Sequence, residues 1–405
     1  MSDPIAAAPA VRTDAADEAG RRLIGFLRNT LGAEGPVALH EPSFEGNEWA
    51  YVKDCLDTGW VSSAGAYVEQ IERLTADACG TAHGIAVVNG TAGLHTALLA
   101  LGVEPGDAVI CPALTFIATP NAISYCGAVP LFVDSDAVTG GIDAVKLAGL
   151  FKDDCTPGPD GLIHTASGRR IAAILPVHLF GHPADMTALD TLAREFSLPI
   201  IEDAAEALGS RYQGRGCGSL GAAGVISFNG NKTVTTGGGG VIVTNDDTLA
   251  ARLKHLTTTA RLPDRWWFDH DAVGYNYRMP NINAALGCAQ LELLPVFIDR
   301  KRDLAARYAD LFSDLDGVAT FAEPAGCESN FWLNALMFEN ADSRDRFLTQ
   351  TNDAGIQTRP CWRLMPDTSV YAEAPRAGDL ATARDFVERL VNIPSGPRLL
   401  HGTNG

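Results

Sequence analysis

The feature that most constrains this chain is an alternation running from about residue 82 to residue 245. Short apolar runs rich in β-branched residues recur there, separated by stretches with helical spacing. The runs are residues 85–88, 108–111, 130–133, 172–177, 198–201, 224–228 and 240–243. They are almost continuously apolar, as strands buried on both faces of a sheet must be. Between them, residues 91–101 align Leu94, Ala97, Leu98 and Leu101 on one helical face, with Gly102 following as a stop. Residues 184–196 align Met186, Leu189, Ala193 and Phe196 in the same way. Such alternation predicts an α/β fold: a mostly parallel sheet of seven strands flanked by helices. Ligands of these sheets sit at the carboxyl ends of strands, so polar residues just after strands deserve the closest reading.

The 405 residues suffice for two or three domains. Residues 1–36, Ala-rich and polar, read as a partly helical N-terminal extension. Residues 37–262 read as the large domain, and 263–405 as a smaller α+β C-terminal domain with a linking helix. That helix is expected to open at Pro280 and Asn281, with Ile282, Ala285, Leu286, Ala289 and Leu293 on one face. Strand-like pieces at 330–338, 355–358 and 389–393 follow.

Lys plus Arg number 31 and Asp plus Glu 49, and 31 − 49 gives a net charge of −18. This speaks against nucleic acid and anionic membrane surfaces as partners, so a phosphorylated ligand must be attracted locally. No apolar run approaches the roughly 20 residues that a membrane span needs, and the N-terminus lacks the pattern of a signal peptide. Nine cysteines, scattered and without a CxxC pair, predict a reduced, cytoplasmic chain with no disulfide framework or zinc site.

Four strand ends carry chemistry. In Asn89-Gly-Thr-Ala-Gly93 a strand turns into a helix, leaving backbone N–H groups at Gly90, Thr91 and Ala92 beside the Thr91 hydroxyl. That suits a phosphate; the plainer reading is ordinary capping by Thr91. Glu202, Asp203 and Glu206 follow the run at 198–201, where a carboxylate pairs with a cationic heterocycle or merely complements a helix dipole. In Ser227-Phe-Asn-Gly-Asn-Lys-Thr233, Lys232 stands at a strand end as a nucleophilic amine or a solvated loop lysine. The spacing fails the GxxxxGK[ST] phosphate loop. Glycines 237–240 precede a strand instead of a helix, so they allow close backbone approach to a cofactor or partner more readily than they bind a dinucleotide. His178 and His182 are four apart, but Gly181 and Pro183 break any helix between them. A zinc pair is thereby disfavoured, and His178 is left near the ligand or simply packed. Asp134 and Asp136 read as turn residues.

A phosphate turn, a strand-end acid and a lysine 29 residues later form the set that pyridoxal 5′-phosphate needs. At this point the chain resembles the DegT-type sugar aminotransferases, which share the fold type I architecture. The resemblance runs from His40 to about Ser395 through NGTAGLH, PALTFIAT, PVHLFGHPADM, IEDAAEALGS, SFNGNKTVTTGGGG and GYNYRMPNINAALGCAQLE. It implies that Lys232 binds the cofactor aldehyde and later moves a proton. Asp203 is implied to pair with the pyridine nitrogen, and Phe116 to stack on the ring. The phosphate falls to Gly90, Thr91 and Ser227, with Ala92 and Asn229 as further cofactor contacts. Glu206 stands where the wider family often has Gln, near the phenolic oxygen. Asn276 is implied to reach the neighbouring subunit's cofactor, hence a homodimer with shared active sites. The retained Lys232 argues against the related sugar 3-dehydratases, which carry His there.

HEPSFEGNE, WVSSAG, HLTTTAR and TRPCWRLM look closest to the branch that aminates C4 of nucleotide-linked 4-keto-6-deoxy-N-acetylhexosamines. The expected substrates are therefore a UDP sugar of that type and glutamate, with 2-oxoglutarate released. His178, Arg278, Arg359 and Trp362 are candidate substrate contacts, with Arg261 and Trp332 as further possibilities. Amination of GDP-4-keto-6-deoxymannose, as in perosamine formation, is the alternative enzyme reading. A non-catalytic regulator of the same fold is the alternative outside catalysis.

Overall fold

The computed structural model describes residues 15–159 and 161–400; residues 1–14 of the expected extension lie outside these. The apolar runs form seven strands: β1 (His83–Val87), β2 (Ala108–Pro112), β3 (Val129–Val133), β4 (Arg169–Ile174), β5 (Ile201–Asp203), β6 (Ala223–Ser227) and β7 (Gly240–Thr244). Their spatial order is β1-β7-β6-β5-β4-β2-β3. Parallel bridges Ile174↔Ile200 and Val177↔Asp203 join the halves at β4 and β5. Only β7 runs against its neighbours; β5 with β6, β4 with β2 and β2 with β3 are parallel. Because β1 and β6 both oppose β7, they run the same way, and the carboxyl ends of all six other strands meet at one edge.

Helices cover both faces, which is why Val87, Val109, Val225 and Ile242 are fully buried. The helix Gly90–Ala100 lies directly on the sheet. A Cβ at Gly93 would stand 2.8 Å from Val225 Cγ1, so the small residue sets how closely helix and sheet approach. All nine cysteines are buried and free.

The linking helix departs from expectation. It runs only over Asn281–Glu292, then bends by 58° into Leu294–Phe312. Its buried positions are Asn281, Ala284, Ala285, Gly287, Cys288, Ala289, Gln290 and Leu291, while Ile282, Leu286 and Leu293 are only half-buried. The reason is close packing against the helices Glu48–Thr58 and Ala66–Cys79. A Cβ at Gly287 would meet Ile71 Cδ1 at 2.4 Å, so small residues, not large ones, face the contact. Among the described residues no single helix is long and apolar enough to cross a membrane.

The C-terminal strands form an antiparallel sheet in the order Val318–Thr320, Asn334–Phe338, Leu390–Ile393, Arg359–Pro360. Residues 330–333 are loop, and 355–358 carries only a bridge between Ile356 and Val37. The N-terminal helix Ala15–Gly25 packs there: Ala16, Ala19 and Leu23 join Tyr308, Phe338 and Phe347 in one apolar cluster.

Gly224 on β6 tests the close packing behind the active edge. A Cβ there would stand 2.3 Å from Gly218 Cα and 2.5 Å from its carbonyl oxygen, and neither backbone atom can rotate away. Gly224→Ala is expected to lower the urea unfolding free energy by at least about 1–3 kcal/mol. An unchanged midpoint would refute the contact.

Candidate active site

The shared edge gathers residues that are far apart in sequence. After β1, Asn89 caps the helix Gly90–Ala100: its Oδ1 accepts the Ala92 N–H at 2.8 Å. Gly90 and Thr91 are the first two helical positions, whose N–H groups have no acceptor within a helix. Ser227, the last residue of β6, lies against them; a Cβ on Gly90 would come within 3.1 Å of Ser227 Cβ. This close-fitting cradle of backbone donors and a hydroxyl suits a phosphate group.

Asp203 ends β5 and is 6% exposed. Burial raises its pKa, and the Thr119 hydroxyl, donating to Oδ2 at 2.7 Å, opposes that rise. Thr119 in turn bonds Thr115 at 2.8 Å, so the carboxylate rests on a small hydroxyl chain. Ala205 N–H donates to Oδ1 at 3.2 Å. A buried carboxylate held this way suits a protonated ring nitrogen.

Lys232 Nζ stands 3.4 Å from Glu206 Oε1 and 3.8 Å from the centre of the Trp332 ring. Trp332 is itself fixed by an Nε1–H bond of 2.7 Å to the Asn231 carbonyl. Glu206 also accepts the Phe180 N–H at 2.8 Å. Burial pushes Glu206 up to about 7, against the pull of the Lys232 charge.

These groups surround a cavity of about 750 Å³. Gly90, Thr91, Phe116, Asp203 and Ser227 line it, as do Glu206, Asn229, Lys232, Arg359 and Trp362. Phe116 is half exposed, and its ring centre is 5.8 Å from that of Trp362. The donor cradle, the buried acid and the lysine converge on one space, and they fit the phosphate, ring nitrogen and aldehyde of pyridoxal phosphate.

Other expected contacts lie elsewhere. The Ala92 N–H is taken by Asn89, so it leaves the phosphate set. His178 is fully buried; its Nδ1 accepts the Ala184 N–H at 3.1 Å and its Nε2 bonds Glu202 at 2.9 Å. Glu202 points to the opposite face from Asp203, as strand geometry requires. It accepts the N–H groups of Gly218, Leu220 and Gly221, which anchors a loop behind the sheet. Arg278 pairs with Glu72 at 2.8 Å and donates to the Ala86 carbonyl, which commits it to structure. Arg261 lies over the Phe268 ring, away from the cavity. Asn276 does not line this chain's cavity either; it bridges Thr258. Among the described residues no cluster could hold a metal, which leaves His182 packed between Phe321 and Phe331. The sequence reading missed Asn89 and Thr119, although an Asn before a helix and a Thr in PALTFIAT were both in view. His40, Gln357 and Asn392 also line the cavity and carry no local signal in the sequence.

A profile described as the DegT/DnrJ/EryC1/StrS aminotransferase family matches residues 42–403. GDP-perosamine synthase of Caulobacter vibrioides is 40% identical over 363 residues, covering 89% of this chain and 93% of the relative. The protein of that name from Escherichia coli O157:H7 is 39% identical, covering 90% of this chain and 94% of the relative. Among solved structures, the aminotransferase TlmJ from Streptoalloteichus hindustanus superposes with a TM-score of 0.80 at 30% identity, covering 89% of this chain and 94% of TlmJ.

Glu206 links site and stability. Its folded pKa is about 7, against 4.5 for an ordinary glutamate. The protonated form is favoured by folding, so its contribution is complete below about pH 4.5 and lost as pH rises through about 7. Cofactor-free Glu206→Gln should lack this slope. Relative to the variant, the parent should lose up to about 3 kcal/mol between pH 4.5 and 8 in urea titrations. Parallel stability curves would contradict the burial argument.

Proposed function

The chain belongs to the DegT/DnrJ/EryC1/StrS aminotransferase family, and from that premise we propose that it transfers the amino group of glutamate to C4 of a GDP-linked 4-keto-6-deoxy sugar. Glutamate becomes 2-oxoglutarate and the ketone becomes the amine, so the exchange is balanced without a further oxidant or reductant. The observation that carries the nucleotide choice is the likeness, at 40% and 39% identity across nine-tenths of the chain, to two GDP-perosamine synthases. This favours the perosamine reading over the UDP-linked acetamido sugar suggested by HLTTTAR and TRPCWRLM.

When bound, pyridoxal phosphate supplies a carbonyl for the amine and an electron-withdrawing ring. The chain's residues do the rest. The Gly90 and Thr91 N–H groups and the Ser227 hydroxyl hold the phosphate. Asp203, ionised with help from Thr119, keeps a proton on the ring nitrogen. Lys232 carries the proton to and from the substrate carbon, with Glu206 as its neighbour. Trp332, 3.8 Å from the amine, shields one side of the lysine from bulk water. Arg359, at the cavity rim, offers charge to the diphosphate in a chain that is acidic as a whole.

The active unit is a homodimer in this reading. Trp266, Trp267 and Phe268 are 72%, 71% and 69% exposed in the loop that leads to Asn276. Such a patch favours a partner surface, and a second copy would bring Asn276 to the neighbouring cavity. Lys232→Ala and Asn276→Asp proteins, each inactive, are expected to regain activity when mixed. Demonstrated subunit exchange without recovery would rule out a shared site.

The substrate is tested by comparing kcat/KM for GDP-4-keto-6-deoxymannose and a UDP-linked 4-keto-6-deoxy-N-acetylhexosamine. The GDP sugar is expected to be preferred by about tenfold or more. Preference for the UDP sugar would overturn the nucleotide assignment and leave the transamination intact.

A further inference from the structure

Asn330 stands in the loop that enters the strand Asn334–Phe338, and it is fully buried. Both ends of its side-chain amide are engaged. Oδ1 accepts the Trp332 N–H at 2.8 Å, and Nδ2 donates to the carbonyls of Glu206 and Leu208, each at 2.9 Å. Phe180 closes the circuit from the other side. Its N–H donates to Glu206 Oε2 at 2.8 Å, and its carbonyl accepts the Leu333 N–H at 3.2 Å. The bonds thus run from Asn330 through Glu206 and Phe180 to Leu333, which follows Trp332, and so back to Asn330.

The backbone of this circuit is held in an unfavourable form. Phe180 and Phe331 have φ of 56° and 46°, although neither is glycine. Such conformations persist only where the surroundings enforce them, and they gather at functional sites. Gly181 supplies part of the enforcement: its carbonyl accepts the hydroxyls of Ser210 at 2.7 Å and Ser329 at 3.0 Å. A Cβ on Gly181 would stand 2.0 Å from Asn330 Oδ1, so the loops meet without slack. What the circuit holds is the surroundings of one amine. Glu206 Oε1 lies 3.4 Å from Lys232 Nζ, and the centre of the Trp332 ring lies 3.8 Å from it. Asn330 secures both neighbours, Glu206 by its carbonyl and Trp332 by its N–H. The indole end of Trp332 is tied to the carbonyl of Asn231, the residue before Lys232.

We propose that Asn330 is the positioning residue for the Lys232 amine: its amide sets the Glu206 carboxylate and the Trp332 ring against Nζ and so fixes the direction in which the lysine reaches the cofactor aldehyde. The two neighbours suit that task, since a carboxylate accepts an N–H bond and an indole face attracts an ammonium. The bonds of Asn330 go to Glu206, Leu208, Ser210 and Trp332. The phosphate cradle and Asp203 lie outside that set, so Asn330 governs the approach of the amine and not the docking of the cofactor. The inference rests on the aminotransferase reading above.

Stopped-flow absorbance tests it, following the full-length, cofactor-free protein as it takes up pyridoxal phosphate. The concentration dependence reports docking. The rate at saturation reports bond formation, in which the Lys232 ammonium and the aldehyde give a protonated C=N bond and one water. Asn330→Leu, similar in size but without hydrogen bonds, is expected to slow the saturated rate by about tenfold or more and leave the docking constant within about twofold. Asn330→Ser keeps the test open if Asn330→Leu fails to fold. Trp332→Leu should slow the same step, and adding Asn330→Leu to it should slow it by only about threefold more, because both act on one amine. Phe347→Leu, in the apolar cluster behind the C-terminal sheet, is the control. It should lower the melting temperature without slowing bond formation. An unchanged saturated rate would overturn the proposal, and so would a loss confined to docking. Effects of Asn330 and Trp332 that multiply independently would also overturn it, as would equal slowing by Phe347→Leu. Failure of the aminotransferase reading would show separately, as a parent protein that forms the bond but takes no amino group from glutamate.

Discussion

The site depends on one directional constraint. Six strands of the central sheet run the same way, so six carboxyl ends open onto one edge. Right-handed crossovers with helices on both faces enforce this arrangement and leave the sheet interior apolar. Charged groups are then tolerated where they find partners, and the carboxyl edge is one such place. Asp203, Glu206 and Lys232 are gathered there because the edge offers partners that the interior does not. Each is held by a specific neighbour: Thr119, the Phe180 N–H and the Trp332 ring.

Burial gives these neighbours their importance. An unassisted carboxylate at the Asp203 position would tend to protonate, and a neutral acid cannot hold a proton on a ring nitrogen. Thr119 works against that tendency with one short bond, and Thr115 orients Thr119. Glu206 accepts the Phe180 N–H and faces the Lys232 amine. Burial pushes it up to about 7, close to the Lys232 amine. Burial raises both acids, and a different set of partners opposes the rise in each.

The sheet was legible in the sequence because strands buried on both faces must be apolar without interruption, and all seven runs match strands or their edges. Lys232, Asp203, Gly90 and Thr91 were legible because strand ends and helix starts have local signatures. What failed depended on long-range pairing. His178 follows a strand as Asp203 does, yet its neighbour Glu202 lies on the hidden face and engages it. Arg278 has the right chemistry for a diphosphate, but Glu72, 206 positions away, neutralises it. The linking helix misled because Gly287 and its alanines allow close approach, a contact that large-residue periodicity does not register.

The charge balance extends this argument to recognition. A chain of net charge −18 repels dianionic ligands at long range, so affinity has to come from the few cations that face the cavity. Arg278 and Arg261 are engaged elsewhere, which leaves Arg359 and Lys232 on the lining. Two cations are few for the diphosphate and the dicarboxylate that the proposed reaction brings to the same space in turn. Neutral N–H donors carry no charge of their own for the acidic surface to screen, and they tolerate both occupants. The backbone groups at Gly90 and Thr91 have this character toward the cofactor phosphate. Such donors hold an anion without adding positive charge to a cavity whose occupants must also leave.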